Sequence, residues 1–153
     1  MVQLTKISPD QIKSFIEVAF RDDTELLEQY HISPGPLDHC VDHTYGFISE
    51  NADFYKEDIE FYAVDDFGFT IIIRNANNVN ELYSFGININ YRNKETLTAW
   101  LEEVEKLIGK PYYIVLWAKN TRAINFFEKN GFIVQRSSKL LNDETKVLIL
   151  KNV

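Results

Sequence analysis

Few residues of this sequence are spaced for chemistry, and each group also has a structural reading. Asp38-His39-Cys40-Val41-Asp42-His43 sets two histidines at i and i+4. That spacing puts both on one helix face and can hold a zinc ion. The His-Glu-x-x-His context is absent, so the cluster reads as solvated surface and no metal is expected. Asn93-Lys94-Glu95-Thr96-Leu97 opens a long periodic stretch. Here Asn93 can cap a helix, and an acid in its first turn stabilises it by about 0.3–1 kcal/mol. Asn120 is a second candidate cap. Cys40 is the only cysteine, which rules out an internal disulfide, a CxxC pair and a zinc ribbon. No Gly-x-Ser-x-Gly, phosphate-binding loop or dinucleotide fingerprint is present.

The elements that would carry these residues follow from periodicity. Val2 to Ile7 reads as a short strand. Ser8-Pro9-Asp10-Gln11 is a capping box with proline at the first helical position, ahead of an amphipathic helix with Ile12, Phe15, Ile16 and Ala19 on one face. A second helix is expected between Arg21 and Lys56, with a break at Ser33-Pro34-Gly35-Pro36. Ile59–Val64 and Phe69–Ile73 flank a hairpin signal, Asp65-Asp66-Phe67-Gly68. After the turn Asn75-Ala76-Asn77-Asn78, a strand from Glu81 to Asn90 alternates Phe85, Ile87 and Ile89 with Ser84, Gly86 and Asn88. A helix from Asn93 to Ile108 ends at Gly109 with Pro111 beyond. Tyr112–Ala118 is a continuous apolar run, as in a strand covered on both faces. A short helix from Asn120 to Lys129 meets Gly131, and strands at Phe132–Gln135 and Lys146–Leu150 close the chain. The order is β-α-α-β-β-β-α-β-α-β-β, an α+β fold with one mixed sheet of about seven strands and helices on both faces.

The chain has 153 residues, the length of one domain, and residues 1–153 are taken as such. Hydrophobic residues make up 45% and charged residues 25%, the balance of an ordinary globular protein. Lysine and arginine total 16 against 23 acids, a net charge of −7. That charge argues against a nucleic-acid partner, which calls for a basic face. Apolar runs are strand-sized, far short of the roughly 20 residues of a membrane helix, and the N-terminus has no secretory pattern. A cytoplasmic protein without a membrane partner is expected.

Asn120-Thr-Arg-Ala123-Ile-Asn-Phe126-Phe127-Glu128-Lys129-Asn-Gly131-Phe132 resembles the second cofactor motif of the GNAT superfamily of N-acetyltransferases, Asn-x-x-Ala-x-x-Phe-Tyr-Glu-Lys-x-Gly-Phe. The element order is similar to the GNAT fold over nearly the whole chain. By the same resemblance, Glu81 through Leu97 matches the fourth strand and the helix after it, where the family binds the coenzyme A diphosphate. A helix N-terminus suits such a ligand through its unpaired donors and partial positive charge.

The resemblance implies an acyl transfer from acetyl-coenzyme A to a primary amine in a ternary complex. Glu81 would be the catalytic base, since an amine arrives protonated and must lose a proton before it attacks. The main chain of Phe85, Ile87 and Ile89 would line the thioester, and one N–H would stabilise the oxyanion. Arg92, Asn93, Lys94, Glu95, Thr96 and Leu97 would surround the diphosphate, with Asn120, Ala123 and Phe127 contributing from the second motif. Two departures stand out. Asn93, Glu95 and Leu97 replace the family's glycines, and Glu95 brings a carboxylate beside the diphosphate. Phe127 replaces a tyrosine whose hydroxyl protonates the departing thiolate. Asp38–His43, with Tyr45, Phe47, Phe54 and Tyr55 nearby, would line a pocket for a small-molecule or peptide amine, and a homodimer is in keeping with the family. The other reading is a non-catalytic binding module of GNAT fold that has lost its cofactor loop.

Overall fold

The computed structural model describes residues 2–27, 36–76, 78–118, 120–135 and 146–151. After β1 (Leu4–Ile7), the Ser8 amide donates to Gln11 Oε1 at 2.9 Å, the reach-back half of the expected capping box. It opens a 3₁₀ turn that runs into α1 (Ile12–Phe20). Ile12, Ile16 and Ala19 are buried there, as the period of the helix requires. Between α1 and the next strand the sequence predicts one further helix, but the described residues there hold two, α2 (Thr24–Leu27) and the 20-residue α3 (Pro36–Tyr55). Pro36 opens α3, where a proline costs no hydrogen bond. Ser33, Pro34 and Gly35 lie outside the described residues.

The remaining elements are β2 (Ile59–Val64), β3 (Gly68–Ile73), β4 (Asn80–Ile87), α4 (Lys94–Ile108), β5 (Tyr112–Trp117), α5 (Thr121–Lys129), β6 (Ile133–Gln135) and β7 (Lys146–Lys151). The seven strands of the described residues form one sheet in the order β1-β2-β3-β4-β5-β7-β6. Every neighbouring pair is antiparallel except β4 with β5. That parallel step is bridged by α4, the kind of crossover such a pair needs. Gly109, at φ 72°, ends α4, and Gly131, at φ 89°, follows α5; both occupy the left-handed region.

Each face of the sheet has its own core. Ile12, Ile16 and Ala19 of α1 and Val41 and Ile48 of α3 pack with Phe61, Phe69, Ile71 and Ile73. On the opposite face Trp100, Leu101, Val104 and Ile108 of α4 and Ile124 and Phe127 of α5 join Val64, Ile72, Leu82 and Ile114. Trp100 is fully buried and donates its indole N–H to the buried Thr70 hydroxyl at 2.9 Å, so neither polar atom is orphaned.

β4 carries a bulge that reorients its side chains. Ile71 of β3 faces Ser84 and Ile72 faces Leu82, which leaves Tyr83 as the extra residue. Leu82 before the bulge and Phe85 and Ile87 after it therefore all meet the α4 side, although strict alternation would separate them. Tyr83 turns to the α1 and α3 side.

Candidate functional site

The parallel strands part almost at once. β4 pairs with β5 only at Asn80↔Tyr112 and Glu81↔Tyr113. Beyond that, β4 stays bound to β3 as far as Gly68↔Ile87, and β5 to β7 as far as Trp117↔Lys146. The two strand ends thus border a cleft closed at Glu81 and Tyr113. Its closed end is fixed from outside by Asn80, whose side-chain amide donates to the Ile108 carbonyl at 2.6 Å. Hydrogen bonding sets which groups form the cleft wall. Asn88 N–H donates to the Phe67 carbonyl on the β3 side. By alternation the main-chain groups of Phe85 and Ile87 face the other way, into the cleft. Ile89 does not extend this wall: β4 ends at Ile87, not at Asn90, and Ile89 begins a 3₁₀ turn through Tyr91. Asn88 breaks the strand because its side chain accepts from Asn90 N–H and starts that turn.

Glu81 is half-buried at the closed end and accepts a hydrogen bond from the Tyr113 hydroxyl at 3.0 Å. Burial pushes its carboxyl above the usual glutamate value, and the Tyr113 hydrogen bond opposes the rise only in part. Next along β4, the Tyr83 hydroxyl accepts from the Asn51 side chain of α3 at 2.8 Å. Burial, together with the Glu81 charge, pushes the Tyr83 phenol up to about 12. Carboxylate and phenols thus form one polar seam on the α3 side of the sheet.

The loop that leads into α4 is held by residues from the far end of α1. Asn88 is buried and donates to the Val18 carbonyl at 2.8 Å and to Asp22 at 3.2 Å. Asn90 also donates to Asp22, at 3.2 Å. Arg92 donates through Nε to the Ile87 carbonyl at 2.7 Å and pairs with the buried Asp23 at 2.8 Å. Asn93 caps α4, its side chain accepting from Thr96 N–H at 2.9 Å while its carbonyl accepts from Leu97 N–H. The amides of Lys94 and Glu95 are the first-turn donors that this cap does not use. Both side chains are exposed, and that of Leu97 is half-buried against the α4 core.

On the opposite cleft wall Asn120 caps α5 by accepting from Ala123 N–H at 3.3 Å. Phe127 is fully enclosed, its ring centroid 5.6 Å from Phe85, 5.0 Å from Phe132 and 5.2 Å from Phe126. It serves as core and offers no surface to a ligand. Along α3, the His39 and His43 rings stack at 6.5 Å, and His43 meets the exposed Phe47 edge-on at 5.0 Å. Among the described residues no group of three metal-ligating side chains forms, and no helix is long and apolar enough to cross a membrane. Tyr45 lines a shallow hollow between α1 and α3 with Ile12, Ile48 and Asp53, whereas Phe54 is exposed and packs edge-on against Tyr55.

Four residues of this arrangement are not singled out by the sequence: Tyr113, Asp22, Asp23 and Asn88. A tyrosine in an apolar run and two acids in a turn carry no motif; only the fold brings them to the cleft and its loop.

No protein-family profile and no curated protein sequence matches this chain. Solved structures do. The PaiA N-acetyltransferase of Thermoplasma acidophilum, determined with coenzyme A, superposes with a TM-score of 0.69 at 19% identity over 100% of this chain and 99% of that one. An acetyltransferase from Thermus thermophilus gives 0.71 at 12% identity, covering 100% and 97%. A GNAT-family acetyltransferase from Bacillus cereus gives 0.62 at 15% identity, covering 99% and 97%. With the splayed parallel strands, the bulged β4 and this end-to-end likeness in hand, the chain has the fold of the GNAT acetyltransferases.

Proposed function

We propose that this protein transfers an acyl group, acetyl in the first instance, from coenzyme A to a primary amine by direct attack in a ternary complex. The observation that carries the reading is the cleft between β4 and β5, bordered by free strand edges and closed by a carboxylate. A pantetheine arm is itself a chain of amides, and the inward main-chain groups of Phe85 and the Ile87 N–H suit it as a strand edge would, the Ile87 carbonyl being taken by Arg92. An N–H of that edge beside the thioester carbonyl would stabilise the oxyanion as the amine adds. Glu81 would take the proton that the amine must shed, and its raised pKa brings it nearer the operating pH, where a general base works best.

The residues around the diphosphate fit it less generously than the cleft fits the arm. The Lys94 and Glu95 amides and the Lys94 ammonium favour an anion, while Glu95 opposes it and Arg92 is already paired with Asp23. The α4 terminus would then hold the diphosphate by its backbone, with weaker electrostatic help than a glycine-rich loop beside a free arginine gives. Those same features favour the second reading, a binding module without catalysis. Calorimetric titration with acetyl-coenzyme A, followed by thiol release with a panel of amines, decides between them. Saturable binding and amine-dependent thiol release support the acyltransferase. No binding at millimolar coenzyme overturns it in favour of the module.

A further inference from the structure

Amide formation from a thioester leaves one proton too many on nitrogen and one too few on sulfur. A site that supplies only a base solves half of this. Phe127 has no hydroxyl and lies sealed in the core. The hydroxyl that does stand beside the base is that of Tyr113. Glu81 and Tyr113 are register partners, the last pair before β4 and β5 separate, so their side chains leave the sheet on the same face at the closed end of the cleft. They are joined at 3.0 Å, Tyr113 being buried and Glu81 half-buried. Tyr62 donates to Glu60 and Tyr112 donates to Glu105, which commits their hydroxyl protons elsewhere. Tyr83, which accepts from Asn51, lies next along β4, but the hydroxyl hydrogen-bonded to the Glu81 carboxylate is that of Tyr113.

Resting on the reading of Glu81 as the base, we propose that Tyr113 delivers the proton that leaves with sulfur, so that Glu81 and Tyr113 work as a relay from amine to thiolate. Starting from the neutral amine, whose ammonium proton has already gone to water, the sequence of bonds balances without any further reactant. The amine nitrogen forms its bond to the carbonyl carbon and passes a proton to the Glu81 carboxylate. As the carbon–sulfur bond breaks, its electron pair goes to sulfur. Tyr113 O–H protonates sulfur while Glu81 O–H refills the phenol oxygen, and the carboxylate with its hydrogen bond is restored. Alone, a phenol near pKa 10 is a poor acid toward a thiolate whose conjugate acid is near 8.5. Refilled in the same step by a carboxylic acid, it becomes a downhill donor. That is the physical reason for the two groups to touch.

The test compares two acetyl donors with one amine: acetyl-coenzyme A, an alkyl thioester, and an aryl acetyl thioester whose thiolate leaves without a proton. In Tyr113→Phe the alkyl rate should fall about 10²-fold, the usual loss for a general acid. The aryl rate should change by less than about threefold, since it needs no acid. The ratio of the two rates within one preparation does not depend on how much of the variant is folded. A second measurement needs no variant: in H₂O–D₂O mixtures the wild-type rate should curve with deuterium content for the alkyl donor, two protons being in flight, and run straight for the aryl donor. An unchanged alkyl-to-aryl ratio, or a straight line for both donors, overturns the relay. If the wild type acetylates no amine from either donor, the acyltransferase reading itself falls.

Discussion

Arg92 lies 2.8 Å from Asp23, whose side chain is only 7% exposed, and so couples the α4 entry loop to the turn after α1. A charge as deep as Asp23 is tolerable because it is paired, and its partner is the more accessible of the two. Arg92→Met should therefore cost about 3–5 kcal/mol by taking a close counter-charge away from a buried carboxylate. Asp23→Asn should cost clearly less, and Arg92→Met combined with Asp23→Asn less than Arg92→Met alone. Urea unfolding of the three variants measures this coupling. Additive losses would mean that the pair is not what holds the loop.

Glu81 gives a prediction of the opposite sign. Its carboxyl is raised by burial, so the stability it contributes is fully present in acid and is lost as pH rises through its folded pKa. At neutral pH the ionised, desolvated carboxylate is a net cost. Glu81→Gln keeps an acceptor for Tyr113 and removes the charge. The variant should melt above the wild type at pH 7, and the gap should close below about pH 4, the ordinary glutamate range. Thermal melts across that span check it. Acyl transfer should fall in the same variant while coenzyme binding stays nearly intact.

How far the sequence reaches is visible in β4. Alternation of Phe85 and Ile87 with Ser84 and Gly86 places those residues correctly, because they all lie on one side of the bulge. The bulge at Tyr83 has no marker of its own: no glycine sits there, and its neighbours Leu82 and Ser84 are ordinary strand residues. For the same reason Leu82 would be assigned to the wrong face. The α4 start is legible because capping is local, and Asn93 caps it as expected. Tyr113 and the Asp22–Asp23 pair are not, since their roles arise from contacts across distant parts of the chain.

Trp100 and Thr70 test the α4 face of the sheet. Thr70→Val keeps the shape but strips the acceptor from a fully buried indole N–H. The unsatisfied donor should cost about 1–3 kcal/mol. Thr70→Ser, which keeps the hydroxyl and loses a methyl group, should cost less. Denaturant midpoints order the two variants, and the reverse order would show that Thr70 matters there by volume and not by its hydrogen bond.

Glu95 decides how the α4 terminus treats an anion. It stands exposed in the first turn of a helix that Asn93 already caps, where its carboxylate favours the helix and repels a diphosphate. Glu95→Gly removes that repulsion and the side chain with it. The same change costs the helix about 1 kcal/mol in propensity together with the loss of its dipole interaction. The two effects run in opposite directions in two assays. Without ligand, Glu95→Gly should melt a few degrees below the wild type. In calorimetric titration it should bind acetyl-coenzyme A more tightly, and the gain should grow at low salt, where screening is weakest. Dephospho-coenzyme A, which keeps the diphosphate, should show the same gain, whereas acetyl-pantetheine, which lacks it, should show none. An equal gain with acetyl-pantetheine would mean that Glu95 acts on the pantetheine arm and that the diphosphate does not lie at the start of α4.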